Sequence, residues 1–176
     1  PDFSNEGQAN EENADMYREL LPFAKGCGVK IATENMWNWN AEKDCSSFAA
    51  CATPESFCAH LQAVNDDAFV ACLDIGHAEM KGSDTSAVQM IQALGDKLQA
   101  LHIHDNDQWH DAHQIPFSMK IDFDGVVRAL KAIGYAGYFT LEADQFLRNY
   151  TSETVFEGIR QLAGAAKRLA AMYESL

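Results

Sequence analysis

Thirteen residues, Leu101-His102-Ile103-His104-Asp105-Asn106-Asp107-Gln108-Trp109-His110-Asp111-Ala112-His113, hold four of the protein's six histidines and three of its carboxylates. Neutral imidazole and carboxylate are donors that a borderline divalent cation takes, so the stretch reads first as the centre of a metal site; a polar loop of solvated histidines is the plainer account. His102 and His104 are one residue apart at the end of an apolar run. Alternation along a strand sends both to one face, which is therefore not plain core. His104, nearer the strand's end, is the better ligand, and His102 reads as a core or supporting histidine. Asp74-Ile75-Gly76-His77 sets an acid and an imidazole three residues apart across a glycine, able to turn into one cavity or simply to cap a helix. Asp111-Ala112-His113 adds a similar pair, with His113 a candidate contact to substrate or to a second ion. Glu34 and Glu142 each close an apolar run.

The elements that must position these groups repeat. Met16, Leu20, Leu21, Phe23 and Ala24 recur at helical spacing up to Gly26-Cys27-Gly28, and Val29–Thr33 is a β-branched strand leading into Glu34. Met36 to Thr53 is expected as one long loop carrying Trp37 and Trp39. Thr53-Pro54-Glu55 then opens a helix, Ala68–Leu73 reads as a strand buried on both faces, and Asp74 follows it. A helix with Val88, Ile91 and Leu94 precedes a strand from Leu98 to His104. A further helix from Asp124 to Ile133 precedes a strand from Gly137 to Glu142, and a long Ala-rich helix runs from about Thr151 to Tyr173. Such alternation predicts a single α/β domain over residues 1–176 with a parallel sheet covered by helices. Each strand delivers a metal-type side chain at its C-terminal end: Glu34, Asp74, His104 and Glu142. Four units are half of a (β/α)8 barrel, in which these ends converge; an open, doubly wound sheet would spread them in a row.

Composition narrows the function classes. A net charge of −13 and a pI near 4.7, with only 13 scattered Lys and Arg, argue against a nucleic-acid partner. No apolar run reaches membrane-spanning length. Five cysteines without a CxxC spacing fit reduced thiols in a cytoplasm better than a disulfide framework. Residues up to about Glu12 read as a polar loop and an acidic helix start. With no initiator Met, the chain is expected to be the later part of something longer.

Ala32-Thr33-Glu34-Asn35, Cys72-Leu73-Asp74-Ile75-Gly76-His77-Ala78, Leu101–Asp105 with Asp111-Ala112-His113, Lys120-Ile121-Asp122-Phe123 and Thr140-Leu141-Glu142 resemble successive motifs of the xylose isomerase-like TIM barrel superfamily. That group spans sugar phosphate isomerases, ketose 3-epimerases, inosose dehydratases and endonuclease IV-like enzymes. The resemblance covers nearly the whole chain, matches the last four βα units and implies that strands one to four are absent. It implies Glu34, Asp74, His104 and Glu142 as ligands of one divalent cation and His77 as a substrate-contacting histidine. His110 stands where ketose epimerases place an Arg, and Phe117-Ser118-Met119-Lys120 replaces their Gly-x-Gly; both departures lie at the substrate end.

The expected activity is a divalent-metal-dependent isomerase or epimerase of sugars or sugar phosphates, working by proton transfer alpha to a carbonyl through an enediolate. Glu34 and Glu142 serve as base and acid while touching the metal, and His77, His113, His110 and Trp37 line the substrate. Mn2+ or Mg2+ suits this donor set best, with Co2+ or Zn2+ also compatible. Competing expectations are an inosose-type dehydratase, an endonuclease IV-like metal hydrolase, and a binding module with a vestigial site. Half a barrel leaves sheet edges open, so a homo-oligomer, or association with the missing N-terminal half, is expected.

Overall fold

The computed structural model describes residues 6–47 and 49–176, with side chains from Glu11 onward. Of the polar loop and helix start expected up to about Glu12, Pro1–Asn5 lies outside them. Helix α1 (Glu6–Gly26) stops where Gly28 takes a left-handed φ of 68°, and β1 (Ile31–Glu34) follows. The stretch expected as one long loop contains a short antiparallel hairpin, β2 (Asn38–Asn40) with β3 (Cys45–Ser47). Thr53 caps α2 (Pro54–Val64): its hydroxyl accepts from the Ser56 N–H at 3.2 Å, and its own N–H donates to the Ser56 hydroxyl at 3.1 Å. Strand β4 (Phe69–Asp74) runs into the one-turn helix α3 (Ile75–Ala78), then come α4 (Ala87–Leu94), β5 (Leu98–His102), α5 (Phe123–Ala132) and α6 (Val155–Glu174).

The sheet is parallel, in the order β1-β4-β5. Phe69, Ala71 and Leu73 of β4 and Leu101 and Ile103 at β5 pack with Phe57, Leu61, Met90, Ile91, Val126, Val127, Leu130 and Leu169 of the helices. Because side chains alternate, this burial turns Cys72, Asp74, His102 and His104 to the other face, with Glu34 beside them. The helices thus cover one side of the sheet and the polar groups converge on the other.

Two expectations about strands are corrected. The strand expected to reach His104 ends at His102, and the strand expected over Gly137–Glu142 is reduced to one parallel bridge, Ile103 to Leu141. Its two bonds run from the Ile103 N–H to the Thr140 carbonyl and from the Glu142 N–H to the Ile103 carbonyl, both 2.9 Å. Beyond Ile103 the ladder cannot continue, because Asp105 exchanges its backbone bonds with Gln114 instead, at 2.8 and 3.0 Å. No helix among the described residues is long and apolar enough to cross a membrane.

Candidate metal centre and its histidine wall

Glu34 ends β1, and the next residue ties β1 to β4. The Asn35 side chain accepts from the Asp74 N–H at 2.7 Å and donates to the Asp74 carbonyl at 3.0 Å, while the Asn35 carbonyl accepts from His77 Nδ1–H at 2.9 Å. This leaves His77 presenting Nε2. Asp74 is fully buried; its Oδ1 caps α3 by accepting from the His77 N–H at 2.8 Å, and its Oδ2 has no hydrogen-bond partner. Burial pushes the Asp74 carboxyl up, but the close approach of the His104 ring and the charges of His77 and His104 outweigh it, and the net displacement is downward.

The carboxylates of Glu34, Asp74 and Glu142 gather with His102, their ligand atoms within 4.8 Å of one another. His102 Nδ1 donates to Glu34 Oε1 at 3.0 Å; Glu142 Oε2 lies equally near but off the bond axis, and makes no hydrogen bond. Hydrogen bonds to Cys72 and then Glu34 push the His102 ring up to about 11, against a smaller effect of burial. Burial, with the charges of Asp74 and Glu34, raises the Glu142 carboxyl despite His102 nearby. His104, expected in this group, sits deeper. It is fully buried, its Nε2 is 3.1 Å from Asp74 Oδ1, and neither of its ring nitrogens makes a well-aligned hydrogen bond. The cause is the added rise from His102 to His104, which carries the second ring past the glutamates and against Gly76. A Cβ at Gly76 would stand 2.0 Å from His104 Cε1.

His104 belongs to a second group with His77, Asp111 and His113. Asp111 Oδ2 lies 3.1 Å from His113 Nε2 and 3.5 Å from His77 Nε2, Asp111 Oδ1 is 3.4 Å from His104 Nε2, and the His104 and His113 rings stack at 4.1 Å. His113 Nδ1–H donates to the Glu142 carbonyl at 2.7 Å, so its Nε2, like that of His77, faces the acid. Burial opposes charge on both partners, but their pairing wins: Asp111 is lowered to about 2 and His77, bonded to Asp111 and near Asp74, is raised to about 9. Trp37 donates its indole N–H to Asp111 Oδ2 at 3.1 Å, closing the hairpin excursion over this wall.

Of the expected site residues, Glu34, Asp74 and Glu142 come together, His104, His77 and His113 line the adjoining wall, and Trp37 reaches it through Asp111. His110 is not brought in: its side chain is 79% exposed and bonded to Asp107 at 2.9 Å. Reading by residue type passed over Asn35 and Asp105. Asp105 is fully buried and accepts from the N–H groups of Asn106, Met119 and Ile121, folding the loop back under the site. The position of Asn35 directly after a strand-end acid was its one signal; Asp105 had none to separate it from its acidic neighbours.

A family model described as xylose isomerase-like TIM barrel matches residues 1–169. The chain is 30% identical over 132 residues to an uncharacterised protein of Methanocaldococcus jannaschii, covering 75% of this chain and 43% of that one. An uncharacterised protein of Sinorhizobium fredii is 31% identical over 107 residues, 61% of this chain and 31% of its own. The chain therefore spans less than half the length of either curated relative. Among solved structures, the IolI protein with a bound zinc atom superposes with a TM-score of 0.76 at 24% identity, over 98% of this chain and 60% of that one. The D-psicose 3-epimerase of Clostridium cellulolyticum, solved with D-tagatose, gives 0.72 at 17% identity, over 98% and 59%.

Proposed function

Because the chain belongs to the xylose isomerase-like TIM barrel family, we propose that it carries the metal-binding half of a sugar or sugar phosphate isomerase or epimerase. One observation carries the reading. Three carboxylates, from the ends of β1 and β4 and from the segment bridged to β5, meet with His102, their ligand atoms within 4.8 Å of one another, and Asp74 Oδ2 and Glu142 Oε2 are buried there without hydrogen bonds. Like charges crowded in a half-buried place separate unless a cation holds them, so the donor set fits a divalent ion. Glu34, Asp74 and Glu142 would hold it, with an imidazole as fourth donor. We assign that place to His102, whose ring nitrogen lies with the three carboxylates, whereas the expected His104 touches only Asp74 of them and belongs to the adjoining wall. Oxygen-rich ligands with one nitrogen suit Mn2+ or Mg2+.

When bound, the ion supplies Lewis-acid polarisation of a substrate carbonyl. The residues do the rest. A carboxylate at Glu34 removes the proton alpha to that carbonyl, and Glu142, whose carboxyl is raised, returns one to the enediolate. His77, its ring fixed through Nδ1 by the Asn35 carbonyl, offers Nε2, 3.5 Å from the nearest Asp111 oxygen, to a substrate oxygen. The test is metal-stripped protein reloaded with Mn2+ and incubated in heavy water with ketoses, ketose phosphates and inososes. Deuterium is expected in recovered substrate or its isomer. An unsaturated product would instead mark a dehydratase, and no exchange on any substrate by a metal-loaded protein would end the isomerase reading.

The second group supports a rival. With Nδ1–H of His77 and His113 given to carbonyls, their neutral Nε2 lone pairs would face Asp111 oxygens, acceptor against acceptor. A second cation among these donors would be held by the Nε2 atoms and Asp111, as a multi-metal hydrolase would require. Metal analysis separates the two: one ion per chain favours the isomerase, two favour the hydrolase.

A further inference from the structure

Trp39 has no part in the site proposed above, yet the wall of that site leads to it. From the metal carboxylates outward, His104 Nε2 lies 3.1 Å from Asp74 Oδ1 and 3.4 Å from Asp111 Oδ1, and Asp111 Oδ2 accepts from the Trp37 indole N–H at 3.1 Å. The Trp37 ring meets Trp39 edge-on, with centroids 6.4 Å apart and planes at 87°. Burial falls along this line: Asp74 and His104 are fully enclosed, Trp37 is half-buried and Trp39 is 39% exposed. The hairpin that carries both rings is closely seated. The Ser46 N–H donates to the Lys81 carbonyl at 2.9 Å, and a Cβ at Gly82 would stand 2.6 Å from the Ser46 carbonyl oxygen. Among the described residues, no Lys or Arg pairs with the acids of either cluster, and Lys81 at the rim lies 4.1 Å over the Trp109 ring.

We propose that Trp37 and Trp39 form an aromatic corner that takes a second sugar ring, so that the substrate is a ketose carrying a glycosyl group rather than a free or phosphorylated ketose. The inference rests on the sugar reading above and names the substrate class. Asp111 and Trp37 stand between the metal carboxylates and Trp39. A single ketose held at the metal therefore reaches as far as Trp37 and leaves the Trp39 face to the group that it carries. That face is large, rigid and apolar, and a pyranose chair offers it a matching face of C–H groups while the ring hydroxyls turn to water or to polar groups nearby. Asn38 is such a group: its side-chain oxygen accepts from the Trp39 N–H at 2.8 Å, so its NH2 remains for a hydroxyl. A phosphate in the same place would need cationic partners and would meet the charge of Asp111 instead.

The test titrates the full Mn2+-loaded chain by calorimetry with D-fructose, D-fructose 6-phosphate and three glycosyl ketoses: lactulose, maltulose and isomaltulose. At least one glycosyl ketose is expected to bind about 2–10-fold more tightly than D-fructose, the gain from one aromatic face, and the phosphate no more tightly than D-fructose. In Trp39→Ala the ratio of the two affinities is expected to fall to near one. Trp39→Phe keeps a flat ring on the same strand and is expected to retain most of it. A ratio near one in the unsubstituted chain, a ratio that survives in Trp39→Ala, or tightest binding by the phosphate overturns the proposal. Each of those results leaves the isomerase reading standing if deuterium from heavy water enters any of these sugars. If none of them exchanges, that reading falls and this inference with it.

Discussion

Asn35 and Gly76 show how single residues set the geometry of the site. Asn35 satisfies both backbone groups of a fully buried Asp74 and orients His77. Replacing it with Ala strands a buried N–H and a buried carbonyl, each a loss of about 1–3 kcal/mol. Asn35→Ala is therefore expected to lower stability by roughly 2–6 kcal/mol in urea unfolding. Gly76→Ala acts by contact. A methyl 2.0 Å from the His104 ring cannot be accommodated unless that fully buried ring moves. The expected outcome is a folded but destabilised protein whose Mn2+ affinity, measured by calorimetry, drops about 10–100-fold, because the His104 ring supports Asp74 at 3.1 Å and is displaced from it. Mn2+ binding as tight as in the unsubstituted chain would mean that the His104 ring does not hold Asp74 in place.

At the scale of elements, α2 is joined to the sheet and to α1 through His60. That ring is 2% exposed, lies edge-on to Tyr17 of α1 and Phe69 of β4, and its Nδ1 has no partner. Burial holds the folded ring below its ordinary value of 6.5, in the neutral form. The unfolded chain protonates near 6.5 while the folded one does not, so the unfolded state binds more protons as pH falls. This part of the stability is complete above pH 6.5 and declines from there down to the lower folded value. His60→Leu should abolish it: the difference in unfolding free energy between the two proteins is expected to be flat above pH 7 and to shift in favour of the variant toward pH 5. A difference independent of pH would mean that His60 is not held neutral. The capped α2 itself was legible from Thr53-Pro54. The hairpin of β2 and β3 was not, because three-residue strands among Asn, Ser and Trp carry too short an alternation to stand out from a loop.

For the whole molecule, the three-stranded sheet has β1 open along one side and, beyond the single Ile103–Leu141 bridge, little pairing on the other. Apolar side chains stand exposed on the flanking helices, among them Leu20 and Phe23 of α1 and Phe156 and Ile159 of α6. Open parallel edges beside apolar surface favour association with another barrel half or a second copy. Sedimentation at micromolar concentration is expected to show species larger than 19.5 kDa; a stable monomer would mean that these edges are tolerated in water. The sequence by itself determined the βα succession, because alternation and helical periodicity are local signals. It likewise marked Glu34, Asp74 and Glu142, because each acid directly follows an apolar run whose end faces one side of the sheet. Only the tertiary structure decided which imidazole meets which carboxylate. His102 and His104 are equivalent by strand parity, and the choice between them depends on inter-strand register and on the space that Gly76 leaves, neither of which is encoded in the spacing of the two residues.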